Sequence, residues 1–278
     1  MKVVLFCGGL GLRMREVSQT TPKPMISVGG YPILLHVMKY YAHFGHKDFI
    51  LCLGYKADNI RSFFEDTRTG HPSEYIGIGD TATRAQLRQE MADWNITFVD
   101  TGLDACVGER LYAVRHMLQG DDMFLANYAD VLTDAPLPHI VNLVQESDMT
   151  AAFLCARPQY SFHVVQWKEG HTVDRIERCT EAEIWLNGGY FVLRPQLFDH
   201  MQPGDELVEA PFKRLANKEK LLGYRHRGFW APMDTFKDRE NLNAMHARGE
   251  SPWAMWQHAQ RVAVPLVQSS VAIGALAG

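Results

Sequence analysis

KVVLFCGGLGLR, residues 2–13, runs from an apolar stretch straight into a glycine-rich turn. The stretch is continuous and rich in β-branched residues, which suits a strand buried on both faces. PILLHVMKYYAHF, residues 32–44, changes period: Ile33, Leu34, Val37, Met38, Tyr41 and Phe44 fall near helical spacing, with proline in the first turn and Gly45 at the end. DFILCLGY, NITFVD and MFLANYAD read as a second, third and fourth strand, with helical stretches such as ERLYAVRHML between them. Strands alternating with helices predict an α/β fold: a mixed, mostly parallel sheet with helices on both faces. The second half predicts a smaller β extension. SFHVVQWKEGHTVDRIER reads as a hairpin turning at Glu169 and Gly170, and IWLNGGYFVL as a strand around a glycine pair. TFKDRENLNAMHARG, residues 235–249, reads as a helix closed by glycine.

Composition bounds the function. A chain of 278 residues, 46% hydrophobic and 22% charged, can bury a substantial core. No Pro/Gly/Ser linker divides it, which predicts a single domain over residues 1–256 and a tail over 257–278. A formal charge of −4 offers no basic footprint for nucleic acid and no attraction to a membrane. Cys7, Cys52, Cys106, Cys155 and Cys179 are odd in number and scattered, without a C-x-x-C pair, against both a disulfide framework and a metal cluster. The N-terminal run enters a glycine turn rather than a cleavage site, so a cytoplasmic protein is expected. VAVPLVQSSVAIGALAG, residues 262–278, is shorter than the roughly 20 residues a spanning helix needs and is broken by Pro265 and Gln268; it reads as a loosely docked tail. His36, His43 and His46 have no paired carboxylate in the pattern and read as core or surface residues.

A glycine-rich turn between strand and helix exposes backbone N–H groups suited to phosphate. No Gly-Lys-Ser/Thr follows, which excludes a P-loop, and the dinucleotide fingerprint fits in part only, because Met14 stands where its third glycine belongs. The turn carries Arg13 instead, and Lys23 follows, locked between Pro22 and Pro24. An arginine can grip phosphates bidentately and a rigidly held lysine can add a point charge.

GGLGLR, then PKPM and GGYPILLHVM, resembles the start of the sugar-phosphate nucleotidyltransferases. Further on, WNITFVDTG, GERL, LNGGYFVL, GFWAPMDT and ESPWAMW are similar in order and spacing to the glucose-1-phosphate cytidylyltransferases within that family, from about residue 1 to residue 256. The resemblance implies the family's Rossmann-like nucleotidyltransferase fold. It also implies joining of a nucleoside triphosphate, with CTP leading and UTP or dTTP open, to a sugar 1-phosphate such as glucose 1-phosphate, with release of pyrophosphate. It implies Mg²⁺ held by Asp130 and Asp234, and no covalent protein nucleophile. Arg13 would stabilise the leaving phosphates and Lys23 the transferred one. Gly8, Gly9 and Gly11 would line the nucleotide, joined by Gly108 and Arg110 from the segment after VDTG. Glu177, Arg178, Asn187 and Gly188 would border the sugar phosphate. The resemblance further implies a homo-oligomer.

Several positions depart from the family pattern. Leu12 replaces a threonine, Val107 and Glu109 a threonine and a glycine, Val131 and His163 glycines, and Arg178 a lysine. Together they would crowd and recharge the pocket, so a second class of protein stays open: a nucleotide- or sugar-binding homologue with little catalysis. Retention of both metal-type aspartates favours the enzyme.

Overall fold

The computed structural model describes residues 1–9, 21–70, 81–159 and 162–257. Gly11, Leu12 and Arg13 lie outside the described residues, as does the tail beyond Gln257.

The strands are β1 (Lys2–Phe6), β2 (Ser27–Val28), β3 (Tyr31–Pro32), β4 (Asp48–Leu53), β5 (Asn95–Asp100), β6 (Phe124–Asn127), β7 (Val131–Thr133), β8 (Ala151–Ala156), β9 (His163–Trp167), β10 (Val173–Arg178), β11 (Leu186–Leu193), β12 (Leu221–His226) and β13 (Trp230–Pro232). Seven form one sheet in the order β12-β8-β11-β6-β1-β4-β5. All its neighbours pair parallel except β11, which runs antiparallel to both β6 and β8. The expected mixed, mostly parallel sheet is therefore present, and β11, carrying the glycine pair, is its reversed strand.

Burial follows the two-residue period. Val3, Leu5 and Cys7 enter one core layer while Val4 and Phe6 enter the other. Helices α1 (Ile33–His43), α2 (Ala57–Thr69), α3 (Thr81–Glu90) and α5 (Leu137–Gln145) bury apolar residues in the first layer. Helices α4 (Val107–Ala113) and α6 (Pro211–Asn217) do so in the second. The last helix, α7 (Phe236–Ala247), opens with a capping box in which Thr235 and Asp238 exchange hydrogen bonds. Gly249, at φ +73°, follows it, as the sequence pattern requires.

The predicted hairpin is β9–β10, antiparallel and separate from the main sheet. Its turn closes with the N–H of Lys168 donating to Thr172 O, around Gly170 at φ +72°. Two more short ladders matter for position: β13 pairs antiparallel with β7, and β2 with β3.

Chain order sets the location of a ligand crevice. From β1 the chain moves outward to β4 and β5, then returns to β6 on the other side of β1. The strand ends on either side of that reversal open a crevice at the carboxyl edge of the sheet. The glycine turn follows β1, and Asp130 follows β6.

His36 illustrates how tightly α1 is packed. The ring is 5% exposed, with Nε2 donating to Val28 O at 2.9 Å and Nδ1 accepting from Trp253 Nε1 at 3.3 Å. Burial pulls its pKa from 6.5 to about 4. Below the unfolded value the unfolded chain takes up a proton that the folded ring refuses, so stability is full above that value and falls as pH drops toward the folded one. Urea unfolding should show the wild type losing about 2 kcal/mol more than His36→Asn between pH 6.5 and about pH 5, at about 1.4 kcal/mol per pH unit. Equal losses in the two proteins would contradict the buried, neutral ring.

Candidate active site

Lys23 lies in a single 3₁₀ turn, Lys23–Met25, flanked by Pro22 and Pro24. The two rings fix φ on either side, Pro24 and Met25 are buried, and the N–H of Met25 donates to Pro22 O at 2.8 Å. This rigidity holds the ammonium in one place. Nζ donates to Asp130 Oδ2 and to Asp234 Oδ1, each at 2.6 Å.

The β7–β13 ladder brings these aspartates together from positions 104 residues apart in the sequence. Val131 pairs with Pro232, and the N–H of Met233 donates to Asp130 O at 3.0 Å, so Asp130 and Asp234 flank the same end of the ladder. Ala129, buried with φ +65°, turns the chain out of β6 immediately before Asp130, and Asn127 Oδ1 accepts its N–H at 2.7 Å. A non-glycine residue held in the left-handed region beside a functional carboxylate is strain that the surroundings must impose.

Burial alone would depress the Lys23 ammonium, but Asp130 and Asp234 outweigh it and hold the group above its ordinary value. Burial pushes the Asp130 carboxyl up, and Lys23 offsets that in part. Two carboxylates already converging on one positive charge suit a hard divalent cation, which takes oxygen ligands from one or two carboxylates and completes its shell with phosphates and water. Among the described residues no cluster of three or more His, Cys, Asp or Glu could enclose a metal without such help.

The two aspartates line a cavity of about 540 Å³. Gly9, Arg110, Asp130, Asn187 and Asp234, all singled out in the sequence, line it. Asn187 Nδ2 donates to Tyr128 Oη at 2.9 Å, and Asn187 Oδ1 accepts the N–H of Gly189 at 3.0 Å across a bulge in β11.

Arg110 has a role the sequence does not disclose. Its guanidinium is 3% exposed and donates to Leu53 O, Thr101 Oγ1, Gly102 O, Gly8 O and Leu103 O, at 2.8 to 3.2 Å. It stitches together the chain just beyond β1, β4 and β5. Gly8 is required beneath it, because a Cβ there would stand 2.0 Å from Arg110 Nη1. Gly108 serves packing too: a Cβ would lie 2.0 Å from Asp205 O.

The remaining sequence candidates are placed elsewhere. Gly188 is packed against Leu154, and its carbonyl accepts Trp230 Nε1 at 2.9 Å. Glu177 and Arg178 stand at the end of β10 and do not line the cavity. Glu177 accepts from Gln166 Nε2 at 3.2 Å, and Arg178 pairs across the hairpin with His163. Glu109 is engaged with its own helix, accepting the N–H of Cys106 at 2.8 Å at the start of α4. Residues not singled out as site candidates also line the cavity, among them Phe6, Cys106, Tyr128, Glu206 and Trp230.

The family model for nucleotidyl transferases matches residues 2–238. The chain is 35% identical over 258 residues to a probable glucose-1-phosphate cytidylyltransferase of Bacillus subtilis, covering 92% of this chain and 100% of that protein. It is 33% identical over 259 residues to the glucose-1-phosphate cytidylyltransferase of Salmonella typhimurium, with the same coverage. Among solved structures, a UTP-bound UGPase from Acinetobacter baumannii superposes with a TM-score of 0.67 at 16% identity, over 95% of this chain and 99% of that one. No helix among the described residues is long and apolar enough to cross a membrane. Sheet order, the edge at which the cavity opens and a family match across most of the length agree: this chain belongs to the nucleotidyl transferase family.

Proposed function

We propose that the protein is a Mg²⁺-dependent transferase that joins CTP to a sugar 1-phosphate, with glucose 1-phosphate as the leading acceptor, and releases pyrophosphate. The observation that carries this reading is the convergence of Asp130 and Asp234, both in the cavity wall, on the ammonium of Lys23. An oxygen of the sugar phosphate attacks the α-phosphorus of the nucleotide. The bond to the β-phosphate breaks, and pyrophosphate leaves with that electron pair. The protein's work is positioning and charge. Asp130 and Asp234 would hold the magnesium ion, which supplies positive charge to the phosphates. Lys23 neutralises the transferred phosphate and Arg13 the leaving ones. The backbone of Gly8, Gly9 and Gly11 borders the nucleotide, with Arg110 and Gly108 holding that wall in place. Asn187 borders the sugar phosphate from the cavity wall, with Gly188 behind it in β11; Glu177 and Arg178, which the resemblance assigns to the same substrate, stand on the hairpin outside that wall.

A nucleoside triphosphate substrate supports a cytoplasmic location. We also take the chain to self-associate with copies of itself. The β9–β10 hairpin supports this by presenting Trp167 and Ile176 on one face, 61% and 62% exposed.

Pyrophosphate release with Mg²⁺, each of CTP, UTP, dTTP, ATP and GTP, and a panel of sugar 1-phosphates tests the reading beside an Asp130→Ala control. Turnover with CTP that vanishes in the control is expected. Silence across the panel, with nucleotide still bound, would transfer the case to a binding homologue.

A further inference from the structure

Among the described residues three carboxylates line the cavity, and Lys23 balances two of them, Asp130 and Asp234. The third, Glu206, comes from a different segment and forms no ion pair among the described residues. Its Oε2 accepts the N–H of Val107 at 3.1 Å, and its Oε1 accepts no hydrogen bond from any described residue.

The segment carrying Glu206 is fastened on both sides. Arg214 forks onto the carboxylate of Asp205, which also accepts the N–H of Gln202 at 2.7 Å. The Asp205 carbonyl accepts Cys106 Sγ–H at 3.1 Å and presses on Gly108. The Glu206 carboxylate is thus built into the wall beside residues 106–110, the stretch assigned to the nucleotide.

A carboxylate repels phosphate, so in a pocket for polyanions it has to meet a neutral part of the substrate. It accepts hydrogen bonds and donates none. A half-buried acceptor fixed in a cavity wall separates a ligand with a donor from one with a carbonyl or a hydrogen in that place, because the second leaves acceptors facing each other or unpaired once the ligand covers the wall. We infer that Glu206 is a specificity-determining residue, whose Oε1 accepts a hydrogen bond from a neutral N–H or O–H of the nucleoside. Two groups supply that chemistry: the exocyclic amine of cytosine and the ribose hydroxyls. The inference rests on the nucleotide reading above.

Calorimetric titration of the full chain and its Glu206→Gln and Glu206→Ala variants with CTP, UTP and dCTP, in the presence of Mg²⁺, tests it. The wild type should prefer CTP by on the order of tenfold to a hundredfold over one of the other two. If the amine is the donor, the CTP/UTP ratio collapses in both variants, and Glu206→Gln gains UTP because its amide can donate to the uracil carbonyl. If a ribose hydroxyl is the donor, the CTP/dCTP ratio collapses in Glu206→Ala instead. Either result supports the inference. A uniform fall for all three nucleotides, with both ratios intact, means that Glu206 only braces α4, and overturns it. A wild type that binds none of the three overturns the nucleotide reading and the inference together.

Discussion

Lys23→Met should lower pyrophosphate release by about a thousandfold, the scale on which removing one preorganised charge from a developing phosphate centre acts. The same change should cost folding stability. In the wild type one ammonium lies 2.6 Å from an oxygen of each aspartate. Without it, two carboxylates face each other across a partly buried gap, and their repulsion adds to the burial that already pushes the Asp130 carboxyl up. The loss should be about 2 kcal/mol. That is less than the 3–5 of a fully buried pair, because the side chains of Lys23, Asp130 and Asp234 keep 13%, 21% and 29% exposure. Urea unfolding and steady-state kinetics on one preparation check both parts. A variant with wild-type turnover would remove Lys23 from the chemistry, whatever its stability.

Arg110→Met should hurt stability more than any other single change at the site. The methionine fills much of the volume but leaves the carbonyls of Gly8, Leu53, Gly102 and Leu103 without the donor that drew them together. The carbonyls of Gly8 and Leu53 are buried and cost about 1–3 kcal/mol each when left unpaired, whereas those of Gly102 and Leu103 lie at the surface and can turn to water, so a net loss of about 2–4 kcal/mol is expected. Nucleotide affinity should fall as well, because the glycine turn after β1 loses its support. The two effects can be told apart from direct phosphate binding by Arg110. A variant with unchanged urea midpoint and lost affinity would show that the guanidinium touches the ligand and that its hydrogen bonds to the backbone are dispensable.

Much of the fold is legible in the residues alone. KVVLF reads as a strand buried on both faces and does alternate between two core layers, and the alternation of strands with helices gives the mostly parallel sheet, though not its strand order. The hairpin and the capped last helix are equally plain in their turn and cap residues. The aspartates were reachable through the resemblance, but their meeting on Lys23 was not, because it depends on a three-residue ladder between β7 and β13. Arg110 shows a different limit. An arginine's chemistry is the same whether it meets phosphate or carbonyl oxygen, and only the packing of three turns around it tells which oxygens are near. Glu206 carried no signal in its own neighbourhood, since GDELVEAP reads as an ordinary polar connection. Glu109 looked like an added charge in the pocket, yet its carboxylate caps the helix on which it sits.

The capping box at the start of α7 has a consequence for behaviour on heating. Asp238 Oδ2 accepts the N–H of Asp234 at 3.1 Å as well as that of Thr235 at 2.8 Å, so one cap both starts the helix and fixes the backbone of a candidate metal ligand. Helix ends fray before the sheet beneath them gives way. As the first turn of α7 loosens, Asp234 goes with it while the seven-stranded sheet still stands. Warming would therefore silence the enzyme at temperatures where the chain remains folded, and cooling would restore it without a refolding step.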